Sequence, residues 1–169
     1  MKKMLCFVAL LSVLNVQAQS VEIAVGSSWA EIPAQQTQSE LKPGWKIVDY
    51  QMKSRLTHYL AGGHASQLAD GNVPVFRVTP GADEVLVDYA LIRLKGYKYF
   101  RKLPKTRLME NDYMRLEPSL FDIKAESDAF ICKPRQPLLP GEYILVCLSQ
   151  KLIGELEDML VFPFCILKG

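Results

Sequence analysis

The sequence is short of most features that mark a common catalyst or a membrane-spanning helix. It holds four cysteines and two histidines in 169 residues. No Cys-x-x-Cys spacing is present, so neither a dithiol redox motif nor a zinc knuckle is suggested. No Gly-x-Ser-x-Gly elbow, P-loop or dinucleotide-binding glycine fingerprint occurs. No stretch reaches the ~18 continuous apolar residues of a membrane helix. An excess of one charge is missing too. Twenty basic and 18 acidic residues leave a net charge of +2, too little for a protein whose work is neutralising nucleic-acid phosphates. Apolar side chains are what the chain has, 49% of it. That excludes intrinsic disorder and, at this length, supports one domain with its own core.

Much of the positive excess sits at the start. Residues 1–18 read MKKMLCFVALLSVLNVQA. Lys2 and Lys3 form a basic end, Met4 to Leu14 an apolar centre, and Val16 and Ala18 take the small-residue positions before a cut at Gln19. This is the layout of a cleavable secretory signal. Gln19 at the cut, where a lipoprotein needs cysteine, argues against a lipid anchor. The expectation is a signal peptide over 1–18 and one β-sandwich domain over 19–169, exported to the periplasm or beyond the cell. Removing the leader removes two lysines and no acids, so the remaining chain balances 18 basic against 18 acidic residues.

Cys6 leaves with the leader, and Cys132, Cys147 and Cys165 stay. An odd number allows at most one bridge. The candidate disulfide is Cys147–Cys165, since a hairpin centred near Leu156 would set them opposite each other. The alternative is that all three are small buried hydrophobes.

After the leader the chain reads as short β-runs between Gly and Pro. The predicted strands are 21–25, 46–51, 56–60, 73–79, 85–95, 97–103, 128–133, 142–148 and 159–167. They are rich in Val, Ile, Tyr and Phe, which suit a pleated surface. Turn signals separate them, among them Gly62-Gly63, Pro80-Gly81 and Pro140-Gly141. Such a series reads as all-β, an immunoglobulin-like antiparallel sandwich. Residues Ile144–Leu148 are apolar at nearly every position, as in a strand covered on both faces. Pro163 places the last strand at an edge or bulge. Residues 26–45 read as a polar surface connection. Ser149–Leu160 is either a capped helix with Leu152, Leu156 and Leu160 on one side or an irregular connection.

Several segments occur together in order: Ile32-Pro33-Ala34, Gly63-His64-Ala65, Pro74-Val75-Phe76, Leu91-Ile92-Arg93-Leu94, Pro137-Leu138-Leu139-Pro140-Gly141-Glu142-Tyr143 and Phe162-Pro163-Phe164-Cys165-Ile166. With these the chain resembles a group of secreted bacterial β-sandwich proteins of uncharacterised function. The resemblance implies a fold and a compartment. It carries over no catalytic or binding residues.

The one local bias is basic. Arg93, Lys95, Lys98, Arg101, Lys102, Lys105 and Arg107 fall within fifteen residues without an acid, and Tyr97, Tyr99 and Phe100 are interleaved. The pattern predicts a hairpin turning at Gly96, its second strand at a sheet edge guarded by lysine. Arg93, Lys95, Lys98, Tyr99, Arg101 and Lys102 are the candidate binding residues, facing an envelope protein or an anionic glycan. His58 and His64 lack the spacing of a helical zinc pair, and no catalytic residue, metal or cofactor is expected. Nucleic acid is not an expected partner, and neither is a membrane span. The functional expectation is an exported, non-catalytic binding or structural module. The alternatives are a small secreted hydrolase with a site assembled from loops, and a subunit that joins an assembly by edge-strand addition.

Overall fold

The computed structural model describes residues 19–42, 46–47, 50–51, 55–98, 100–103, 113–148 and 159–167. Residues 1–18, expected to be a signal peptide, Tyr99, Lys105, Arg107 and residues 149–158 of the candidate helix lie outside the described residues.

Along the chain the strands are β1 (Ser20–Val25), β2 (Ser28–Glu31), β3 (Gln35–Gln36), β4 (Gln38–Lys42), β5 (Lys46–Ile47), β6 (Tyr50–Gln51), β7 (Arg55–Ala61), β8 (Phe76–Thr79), β9 (Tyr89–Arg93), β10 (Lys95–Gly96), β11 (Phe100–Lys102), β12 (Tyr113–Arg115), β13 (Phe121–Glu126), β14 (Ala129–Pro134), β15 (Gly141–Cys147) and β16 (Leu160–Ile166). A 3-10 turn, Leu86–Asp88, precedes β9. The fold is all-β and antiparallel, in sandwich style. No helix among the described residues is long and apolar enough to cross a membrane.

Three larger sheets form three layers. The first runs β13-β14-β8-β1-β2, the second β12-β9-β15-β16-β3 and the third β10-β11-β7-β4, while β5 and β6 pair separately. The middle sheet is covered on both sides because its strands are apolar at both parities. Tyr143, Leu145 and Cys147 face the first sheet and pack with Val21, Ile23, Phe76, Val78 and Phe121. Ile144, Val146 and Leu148 face the third and pack with Leu60, Leu94 and Leu103. Strand β1 instead alternates buried and half-buried positions, the pattern of a sheet with one wet face.

Two boundaries differ from the sequence expectation. Residues 26–45 carry β2, β3 and β4 rather than a surface connection. Their polar sequence hides the strands because β2 and β4 each end a sheet and pair on one side only. The run 85–95 is not one strand either. The 3-10 turn takes its start, and at Leu94 the chain leaves the middle sheet for the third. The hairpin is therefore β10–β11, with Lys95 opposite Lys102 and Gly96 opposite Arg101. Across its turn Tyr97 N–H donates to Phe100 O at 2.9 Å. Strand β11 lies between β10 and β7, so the edge position belongs to β10.

The cysteine pairing is also corrected. All three described cysteines are free and buried. The β15–β16 register sets Cys165 against Glu142 and Val146 against Val161, so Cys147 does not stand opposite Cys165. Cys147 points into the first core, whereas Cys165, opposite Glu142, shares the parity of Ile144 and lies on the other face. The two thiols sit near opposite ends of the ladder, beyond the ~7 Å Cα separation a disulfide tolerates.

Strand β16 does accommodate Pro163. Strand β3 covers its outer edge at Leu160 and Val161. Further along, Cys165 N–H donates to Gln67 O and Ala69 N–H to Cys165 O, both at 2.9 Å. Pro163 falls between these coverings, on the parity where an outward N–H would have no strand to meet.

Candidate functional site

The predicted basic hairpin does not present its residues on one surface. Alternation along β11 sends Arg101 inward and Phe100 and Lys102 outward. Arg101 has 1% of its side chain exposed. Its Nε donates to Gly62 O at 3.1 Å, and Nη2 donates to Gln35 Oε1 at 2.9 Å and Ala61 O at 3.0 Å. Nη1 lies 3.7 Å from Glu142 Oε2. Arg101 is thus a core cross-link, not a ligand-facing cation, and the expectation of it as a binding residue is corrected. The reason is parity: the sequence pattern gave charge but not which side of β11 meets the middle sheet.

Glu142 was not singled out by sequence reasoning, yet it is the centre of this network. Its side chain is 7% exposed. Oε2 accepts from Ala65 N–H at 2.9 Å, and Oε1 lies 3.1 Å from His64 Nδ1. The imidazole itself is 86% exposed, so the carboxylate is the buried partner. Cys165 completes the group. Burial, then its hydrogen bond and proximity to Glu142, push this thiol up to about 11. Burial lowers the Arg101 guanidinium pKa, opposed by Glu142. The result ties β11, β15, β16, β3, the end of β7 and the loop that follows it together across two sheets. A thiol held protonated beside a carboxylate is the reverse of an activated nucleophile. Among the described residues no three His, Cys, Asp or Glu side chains are placed to hold a metal ion.

His58 is buried on β7. Arg93 stays with the middle sheet, pairs across the ladder with Tyr143, and its Nη2 donates to Pro140 O at 2.7 Å. It sits on the first-sheet side of β9, away from the hairpin surface. Gly141 makes room for it. Its φ is +148°, and a Cβ there would lie 3.1 Å from Arg93 Nε.

What remains of the basic hairpin is one compact outer patch. Lys95 and Lys102 stand directly opposite on β10 and β11. Tyr97 and Phe100 stack with ring centroids 4.8 Å apart, and Tyr59 meets Phe100 edge-on at 6.0 Å. Lys95 Nζ lies 5.8 Å from the Tyr97 ring centre. Tyr97 is 40% and Phe100 37% exposed, and Lys98 is exposed in the turn between them. Among the described residues neither Lys95 nor Lys102 forms an ion pair. Like charges directly opposite on paired strands repel by roughly the 0.2–1 kcal/mol typical of such pairs. An anion laid over them would relieve that repulsion.

Comparison with protein-family models, with curated proteins and with solved structures found no match to this chain.

Proposed function

We propose that the chain is an exported, non-catalytic binding module that holds an anionic glycan on the outer face of its third sheet. The observation that carries this is the Lys95–Lys102 pair beside the exposed Tyr97–Phe100 stack. Aromatic faces accept the apolar C–H face of a sugar ring, and the lysines supply charge for its carboxylates or sulfates. Export rests on residues 1–18, read as a cleaved leader, and export favours a polysaccharide over nucleic acid as the polyanion.

The scaffold in this reading is immunoglobulin-like, built from the first two sheets with the third added outside. Its support is a corner at the start of β15, where Tyr143 O–H donates to Leu139 O at 2.8 Å. A tyrosine bonding back to backbone just upstream is a mark of such sandwiches.

The test is isothermal titration of the 19–169 protein with alginate, a carboxylated polysaccharide, and with uncharged dextran. Alginate should bind and dextran should not. Binding should weaken steeply as salt rises past ~0.1 M, where the Debye length falls to about 10 Å. The triple substitution Lys95→Glu, Lys98→Glu, Lys102→Glu should abolish it. Unchanged alginate binding by the triple variant, or equal binding of dextran, would sink the proposal.

A further inference from the structure

A second site lies at the other side of the middle sheet, where the chain enters β15. A cavity of about 280 Å³ opens there, with walls that include Leu91, Met114, Leu138 and Tyr143, and with Arg93 and Gln136 among its lining. It belongs to the space between the first two sheets, because Leu91, Leu138 and Tyr143 are members of that core. Arg93 continues the Leu91 parity one step further along β9 and stands exposed at the end of the strand.

The chemistry of the lining is asymmetric. Its floor is aliphatic and aromatic. Besides its two tyrosines, Tyr113 and Tyr143, its polar side chains are a guanidinium and an amide. The Tyr143 hydroxyl is already spent on Leu139 O, and only Nη2 of Arg93 is committed, to Pro140 O. Arg93 forms no ion pair among the described residues, so its charge and its remaining donors have no anionic partner within them. A planar fork of N–H donors beside an apolar wall matches a carboxylate carried on an apolar body. The volume limits that body. It lies just below the ~300–1,000 Å³ range of ligand pockets, too little for a long acyl chain.

We propose that this cavity is a binding site for a small apolar monocarboxylate, with Arg93 as its charge partner and Leu91, Met114 and Leu138 as its apolar wall. The site is separate from the glycan patch, so either can fail alone.

The test uses phenylacetate as probe and phenylacetamide as its uncharged isostere, followed by NMR on the 19–169 protein. Phenylacetate should shift the Met114 methyl and the Leu91 and Leu138 amides in a saturable way. Phenylacetamide and the Arg93→Gln variant should each show binding weaker by at least about tenfold, the cost of losing a charge-assisted bidentate contact. Arg93 also holds the Pro140 carbonyl, so a second variant leaves it in place: Met114→Trp, on the end strand β12, fills the cavity and should abolish the shifts. The Lys95→Glu, Lys98→Glu, Lys102→Glu protein should bind phenylacetate as the parent does. Equal binding of the amide, unaltered binding after Arg93→Gln or Met114→Trp, or shifts that never saturate would overturn the assignment.

Discussion

Arg101 is a cation in a core, and it is tolerated because its Nε and Nη2 donors meet Gly62, Ala61 and Gln35 and its charge meets Glu142. Removing one partner leaves the other buried and unbalanced. Arg101→Met should therefore cost about 3–5 kcal/mol in urea unfolding, and Arg101→Met with Glu142→Leu clearly less than the two single changes together. Additive losses would show that the ion pair contributes nothing. A different titration governs high pH. Burial pushes the Cys132 thiol from an ordinary 9.0 up to about 12. Burial and the hydrogen bond to Glu84 push the Tyr89 hydroxyl well above its ordinary 10.0. Both folded pKa values are raised, so both groups support the fold fully below their unfolded pKa and lose that support as pH rises. Above pH ~9 the unfolded chain releases protons that the folded chain keeps, and stability should fall by up to about 1.4 kcal/mol per pH unit for each group. Urea midpoints between about pH 9 and 11 should track this decline, with a shallower slope in Cys132→Ala. An unchanged slope in that variant would place the effect elsewhere.

Among the elements, the β10–β11 hairpin is fixed as much by its neighbour as by its own turn. Gly63 lies against the hairpin loop, where an added Cβ would come within 2.4 Å of Lys98 O and 3.0 Å of Tyr97 O. Backbone cannot yield as a flexible side chain does. Gly63→Ala should cost about 1–3 kcal/mol and displace the Tyr97 and Phe100 ring resonances; thermal unfolding and aromatic NMR would measure both. A loss under half a kcal/mol with unmoved rings would mean that the loop simply retreats. The sequence showed Gly62-Gly63 as a turn but not what the turn touches. The same limit applies to the hairpin as a whole. Alternation along residues 97–102 was legible, and it did separate Arg101 from Phe100 and Lys102. Which parity faced inward was not, because a strand with lysine on one side and arginine on the other has no apolar face to declare it.

For the whole molecule, the decisive arrangement is one sheet shared by two cores. Ile144 and Leu145 are neighbours on β15 and are buried on opposite sides of it. Ile144→Ala and Leu145→Ala should each cost about 2–5 kcal/mol, and each should move a single calorimetric transition, since neither core can open without stripping the middle sheet. Two transitions, with Ile144→Ala lowering only one, would show that the third sheet unfolds alone. The apolar run Ile144–Leu148 already declared a strand covered on both faces, because a strand with one wet face alternates. The class of the fold and the turn at Pro140-Gly141 followed from the chain alone for the same reason: periodicity and backbone preference are local. Tertiary structure decided the rest. The register of β15 on β16 kept Cys147 and Cys165 apart, the crossing at Leu94 split one apparent strand between two sheets, and packing between layers turned Arg101 inward while leaving Lys95 and Lys102 together outside. Those outcomes depend on which distant strands meet, and no local pattern carries that information.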